Sequence, residues 1–184
     1  QLGKSLTIIF YQFTFVETLP EVIRNELTVR LYQTDFGWEQ KARWNKKHPN
    51  IKLDFGRKNI KKLIAESRIY ISTYNATTFL ESFAMNVPTV MFWNPKHWEL
   101  HKSAKPYFEQ LKEVGVFHET PESAAKHITK IWDNVDDWWT SKSVATALNY
   151  FCENYNKTNK NIVNAIQKEL INLRMNKVKT LINK

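Results

Sequence analysis

At 184 residues, with 42% hydrophobic and 14% aromatic side chains, the chain can bury one sizeable core, so one domain is expected. Four glycines are too few for a Gly-rich phosphate loop of the GxGxxG or Walker type. The lone Cys152 excludes a disulfide framework and a cysteine-based zinc site, and fits a reducing compartment. The net charge of +9 is uneven: residues 41–62 hold nine Lys/Arg against one Asp, and residues 157–184 hold seven against Glu169. Such blocks suit nucleic acid or anionic lipid, but solvated helix faces give the same pattern, and no nucleic-acid module accompanies them. No signal peptide and no apolar run of membrane-spanning length is present. The expected location is cytoplasmic, with weak contact to the inner face of the membrane through the basic faces.

The first 26 residues open with LTIIFYQF, which has β propensity yet runs without a turn into FVETLPEVIRNEL. There Thr18, Pro20 and Glu21 have the spacing of a capped helix start. LTVRLYQ (27–33) reads as a strand carrying Arg30, followed by the turn Thr34-Asp35-Phe36-Gly37 and a helix from Trp38 to about Lys47. His48-Pro49-Asn50 breaks that helix, IKLDFG (51–56) is a strand, and NIKKLIAES (59–67) a helix.

The organising stretch comes next. RIYIS (68–72) is a buried strand, Thr73-Tyr74-Asn75 a turn, and a helix starts at Thr77 or Thr78 with Phe79, Leu80, Phe83 and Ala84 inward. Asn86, comfortable in the left-handed conformation, and Pro88 end that helix, and TVMFW (89–93) is a second buried strand closing at Asn94-Pro95. This is one βαβ unit, whose ligand end is the carboxyl edge of its first strand, where the helix N-terminus faces outward.

Beyond Pro95, residues 97–115 read as helix in two pieces divided at Pro106 and capped by Gly115. VFH (116–118) is a short strand, and Thr120-Pro121 opens a helix to about Val135. Asp136-Asp137-Trp138-Trp139 reads as a turn, residues 143–173 as helix broken near 154–159, and the last ten residues as a frayed basic tail. The strand–helix alternation predicts a doubly wound α/β domain of four to six parallel strands.

Several residues have a plain reading beside a chemical one. Thr77 and Thr78 are caps, and the same hydroxyls and amides would hold a phosphate. Glu81 completes a capping box with Thr78, or accepts hydrogen bonds from ribose hydroxyls. Asn75 and Asp35 serve turns. Arg30 inside a parallel strand must reach the sheet edge or an anion, which makes it a diphosphate candidate. Glu99 has surface partners in Lys102 and Lys105. His97, His101, His118 and His127 lack the order of a metal motif, His97 is read as exposed, and the tryptophans at 98, 132, 138 and 139 are read as core and interface filler.

Residues 80–90, LESFAMNVPTV, resemble the LEAxAxGxPVV segment in the carboxyl-terminal domain of GT-B glycosyltransferases. RLYQTDFGW, SRIYISTYNATTFLE, NVPTVMFWNPKHWEL and VGVFHETPESAAKHI together resemble a bacterial family of transferases in surface-polysaccharide gene clusters, over roughly residues 11–155. The resemblance implies a Rossmann-like parallel sheet, the GT-B carboxyl-terminal half, with a helical carboxyl-terminal extension. It implies that Glu81 binds the ribose of a nucleotide-sugar donor, with Asn75 to Thr78 along the diphosphate. The residues expected at the donor are Arg30, Asp35, Gly37, Tyr74, Asn75, Thr77, Thr78, Glu81, Asn94 and Glu99. The donor is a nucleoside mono- or diphosphate sugar; no cofactor, no metal and no specific nucleic acid is expected.

Two departures from the GT-B pattern stand out: Thr73 where many retaining members carry a second Glu, and Asn86 where the family has glycine. The catalytic base is unassigned, because GT-B enzymes place the acceptor site in an amino-terminal domain. A start at Gln1 leads to the expectation that residues 1–26 lead in from such a domain. Residues 27–150 then form the nucleotide-sugar-binding domain, and 151–184 a carboxyl-terminal helix and basic tail whose apolar face (Ile162, Val163, Ile166, Leu170 and Leu173) needs cover. A nucleotide-sugar epimerase, and a noncatalytic or nucleic-acid-associated α/β module, are the alternatives.

Overall fold

The computed structural model describes residues 2–157 and 161–182, with side chains described for 7–157 and 161–174. The elements are α1 (Leu2–Thr18), α2 (Glu21–Arg24), β1 (Thr28–Arg30), α3 (Gln40–Lys47), β2 (Lys52–Asp54), α4 (Ile60–Glu66), β3 (Tyr70–Ser72) and α5 (Thr78–Ala84). Then follow β4 (Thr89–Phe92), α6 (Lys105–Glu113), β5 (Phe117–His118), α7 (Pro121–Ile131), a 3₁₀ turn, α8 (Val135–Trp139), α9 (Lys142–Tyr155) and α10 (Ile162–Ile182). The five strands pair in parallel, β1 with β2 and β3 with β4 with β5. The fold is α/β and consistent with a Rossmann-like architecture, built on two small sheets.

Strand β4 explains the layering. It is buried from end to end, and its alternate side chains enter different cores. Met91 and the adjoining Trp93 pack with Phe79 and Phe83 of α5, Phe108 and Leu111 of α6, Trp139, and Phe151 of α9. Val90 and Phe92 pack on the other face with Phe15 and Val16 of α1, Leu19 just after it, and Ala124, Ala125 and Ile128 of α7. A strand covered by helices on both faces has no place for a polar residue without a partner. Thr89, fully buried, accordingly donates to Val87 O at 2.7 Å and meets the Ser82 hydroxyl at 2.9 Å.

Helices α5 and α6 end alike, in a residue with left-handed backbone. Asn86 has φ 53° and Gly115 φ 79°, and the amide after each reaches back to the helix, Val87 N to Ser82 O and Val116 N to Leu111 O. Both stops match the sequence reading. So does the helix opening at Thr120, whose side chain accepts from Ser123 N; Asn59, read from the sequence as the first residue of a helix, is instead the cap of α4 and accepts from Lys61 N.

Other expectations give way. LTIIFYQF lies within α1, because burying Ile9, Phe15, Val16 and Leu19 outweighs the weak β preference of branched residues. Thr18 turns its hydroxyl back to Thr14 O, and α2 starts after Pro20 with no side-chain cap. Pro106 lies in the first turn of α6 instead of dividing two helices, and residues 97–104 form turns. Asp136 to Trp139 belong to α8, seated by buried Val135 and Trp139. The helix break expected near 154–159 is met, with α9 ending at Tyr155 and α10 starting at Ile162, and Phe151 of α9 enters the core. The backbone of α10 is helical to Ile182; Asn183 and Lys184 of the expected frayed tail lie outside the described residues, as does Gln1. Residues 161–174 are all exposed, so the face of Ile162, Val163, Ile166, Leu170 and Leu173 is uncovered.

Candidate functional site

Parallel pairing brings the loops after β3, β4 and β5 to one edge of the larger sheet. The loop after β1 joins them through a 2.8 Å contact between the Tyr32 and Tyr74 hydroxyls. Helix α1 borders the same rim. Gln12 donates to the Thr73 hydroxyl at 2.8 Å, and Asn94 donates to the Tyr11 hydroxyl at 3.0 Å.

At the centre of this rim is Glu81, in the first turn of α5. The capping box expected from its spacing does not form. Thr77 is the N-cap residue with φ −69° and ψ −16°, a helical conformation that turns its side chain away from a capping bond. Glu81 Oε2 is buried and has no hydrogen-bond partner. A buried acceptor left open is uncommon and calls for a cause. The Tyr70 hydroxyl has Ser72 and Thr78 among its neighbours and lies in the field of Glu81 and Arg30. Burial, more than these neighbours, raises the Tyr70 pKa, so the phenol stays protonated and able to donate or accept. Tyr74 is likewise held above the ordinary phenol value by burial and by its contact with Tyr32. Tyr32, Tyr74 and Tyr70 thus place phenol hydroxyls on the rim that holds the unsatisfied Glu81 oxygen.

The remaining expected residues divide by what already holds them. Arg30 is exposed, not enclosed in its strand, and its Nη1 donates to Asp54 Oδ2 at 2.8 Å and Lys58 O at 2.9 Å. That guanidinium ties β1 to β2 and its following loop while remaining close enough to act on Tyr70. Asp35 Oδ1 accepts from the amides of Trp38 and Glu39, and Gly37 supplies φ 80° in the same turn. Asn94 closes its own turn by accepting from Lys96 N. Thr77 is exposed. Asn75 and Glu99 line a depression of about 230 Å³ floored by Phe79, Leu80, Phe108 and Phe151. Glu99 pairs with neither Lys102 nor Lys105, and His97 is exposed, as expected. Among the described residues no three potential metal ligands converge, and no helix is long and apolar enough to cross a membrane.

Tyr70, Tyr32, Tyr11 and Gln12 were not expected at the site. Only Tyr70 left a signal in the sequence: two residues before Ser72 on a strand, it must share that residue's face. The others arrive through contacts 42 to 83 residues apart, which local pattern does not encode.

A second polar cluster lies at the end of β5. His118 Nε2 is 3.0 Å from Gly115 O and its Nδ1 is 2.8 Å from Ser123 Oγ, so a neutral ring donating from Nε2 satisfies both. His127 Nε2 is buried without a partner, its ring 5.2 Å from His118 and 5.0 Å from Trp138. Burial first, then His118 and Lys130, lower the His127 pKa from 6.5 to about 4, and burial lowers that of His118. Folding therefore favours the neutral rings, and the unfolded chain takes up protons first. Their contribution is intact above the unfolded imidazole pKa of about 6.5 and is lost as pH falls from there toward about 4. The thermal midpoint is expected to drop between about pH 7 and about pH 5, and to drop less in His127→Phe, which keeps the ring and removes the titrating group. Melting curves across that range check it; an equal drop in both proteins contradicts it.

A family model described as LIC12162 family transferase matches residues 2–170. The chain belongs to that family. No curated protein and no solved structure matches it. The LIC12162 transferase match spans every element from α1 through α9, so α1, Glu81 and the His118 cluster all lie within it.

Proposed function

We propose that this LIC12162 family transferase is the nucleotide-sugar-binding half of a GT-B-type glycosyltransferase of bacterial surface-polysaccharide synthesis. The observation that carries the reading is the free, buried Oε2 of Glu81 at the rim of a parallel α/β sheet. A ribose diol presents two hydroxyl donors, and a carboxylate is the acceptor that can take both. The Tyr70 hydroxyl, which lies in the field of Glu81, adds a protonated phenol to the same rim. Helix α5 has only seven residues, so its dipole adds modestly and the reading does not depend on it.

In transfer, the bond from the sugar's anomeric carbon to the donor phosphate breaks and a bond to the acceptor oxygen forms. The leaving phosphate carries away the electron pair, and the acceptor's proton goes to a base. Fixed donors and positive charge near the leaving group lower that barrier, and Arg30 is a cation whose field reaches Tyr70. The acceptor and its base would come from a second, amino-terminal domain, and the open face of α10 would pack against it. The basic faces around α3 and α4 would serve weak contact with the membrane surface.

A thermal-shift screen of nucleotides and nucleotide sugars tests this. Ligand at a hundred times its Kd adds about 2.7 kcal/mol to stability, enough to move the midpoint by a few degrees or more. A rise with nucleotide sugars, and none with the free sugars, is expected. No shift with any nucleotide contradicts the proposal.

A further inference from the structure

Three aromatic rings stand outside both hydrophobic cores, on the loop after β1. Tyr32 is 50% and Phe36 62% exposed, and neither they nor Trp38 belongs to the clusters on the two faces of β4. They pack on one another instead. The Tyr32 ring centroid is 6.3 Å from Phe36 and 5.9 Å from Trp38, both edge-on, and Phe36 is 5.4 Å from Trp38. An edge-on contact covers a face of only one of its two rings, and the exposure of Tyr32 and Phe36 leaves ring surface on which a planar ligand can stack.

The loop bearing them is held in place. Asp35 Oδ1 accepts from the amides of Trp38 and Glu39, Arg43 Nε donates to Trp38 O at 2.9 Å, and Gly37 and Glu39 have positive φ of 80° and 49°. A left-handed glutamate is strained, and it persists here because its neighbours fix the turn. Apolar rings kept exposed on a braced loop lower the ordering penalty for whatever binds them.

Their position relative to Glu81 narrows the ligand. The Tyr32 hydroxyl contacts that of Tyr74, the Tyr74 ring is 5.8 Å from Trp98, and Tyr74 in turn senses Tyr70, the neighbour of Glu81. If Glu81 holds a ribose, the base and the phosphate leave that ribose from different carbons. Toward Asn75 and Glu99 the rim opens on a depression whose aromatic rings, Phe79, Phe108 and Phe151, lie in its floor; toward Tyr32 and Phe36 the rings stand exposed. A flat heterocycle fits the second side.

We infer that Tyr32, Phe36 and Trp38 form a stacking platform for the base of the donor nucleotide. The inference rests on the donor-binding reading and adds to it the subsite that recognises the base. It makes nucleoside diphosphates bind better than the same ribose and phosphate without a base.

Titration calorimetry on the whole chain tests this with four nucleoside diphosphates (of adenine, guanine, uracil and cytosine) and with ribose 5-phosphate as the base-free probe. For the nucleotide that binds best, Phe36→Ala should raise Kd about tenfold or more, the range of base–aromatic stacking, and Phe36→Tyr should restore most of the affinity. Ribose 5-phosphate should bind Phe36→Ala as it binds the parent. Because Phe36 is exposed, its removal should leave the melting midpoint within a few degrees, which separates lost stacking from lost fold. If Glu81→Gln weakens the nucleotide while Phe36→Ala does not, the platform is wrong and the donor reading stands. Should the parent bind none of the nucleotides, both are overturned. Equal affinity of the parent for ribose 5-phosphate and the best nucleotide also refutes the platform.

Discussion

Glu81→Gln is expected to weaken nucleotide binding by about 1.5–3 kcal/mol, the range of hydrogen bonds to a charged group, while leaving the unliganded fold as stable as before. That is roughly a tenfold to hundredfold rise in Kd or somewhat more. The two halves of this prediction come from one fact. Oε2 is buried and bonded to nothing, so it contributes desolvation cost and no hydrogen bond to the unliganded protein. Neutralising it removes no hydrogen bond that the fold uses. A structural helix cap would behave in the opposite way, losing about 1 kcal/mol of stability and no affinity. Calorimetry for affinity and a melting curve without ligand distinguish the outcomes in a single pair of proteins.

Gly115→Ala is expected to destabilise the fold by roughly 2–4 kcal/mol, among the larger effects available to one added methyl group. Its φ of 79° already disfavours a side chain, and a Cβ there would lie 2.3 Å from Cε1, 2.6 Å from Nε2 and 2.8 Å from Nδ1 of His127. The ring has little room to retreat. His118 lies on one side and Trp138 on another, and Trp138 is anchored through Nε1 to Val114 O at 3.0 Å. A double-mutant cycle separates the two causes. In a His127→Ala background the steric part should vanish, leaving about 1–2 kcal/mol for the left-handed backbone. Chemical denaturation of the four proteins measures it, and full additivity would contradict the packing account.

The legibility of this chain follows the range of its interactions. The βαβ unit from 68 to 93 could be read because its strands are short, buried and bounded, and because Asn86 and Pro88 punctuate the helix between them. The stops at Asn86 and Gly115 were legible for the same reason: left-handed backbone selects the residue locally. Helix α1 was not. Its branched residues point to a strand until the partner surface of α7 and β4 is known, and Phe15 stacked 4.9 Å from Phe92 is a contact no local window contains. At the site, spacing gave Glu81 a capping partner in Thr78, but the backbone enters α5 through a helical Thr77 and the carboxylate stays open. Arg30 looked costly because β1 was taken as enclosed; the strand is half-open and Asp54 on β2 answers the charge. The tyrosines that surround Glu81 read as strand and turn residues in sequence, and became a site only when β1 and β3 brought their ends together.

The central claim is that the rim around Glu81 holds the nucleotide of a sugar donor. Its most direct measurement is a calorimetric titration of the unmodified chain with a panel of nucleotide sugars, each against its free sugar and its free nucleotide. The account predicts saturable one-to-one binding of at least one nucleotide sugar, shared by its nucleotide and absent for its sugar. Binding of none of the nucleotides, or binding that follows the sugar alone, would contradict it.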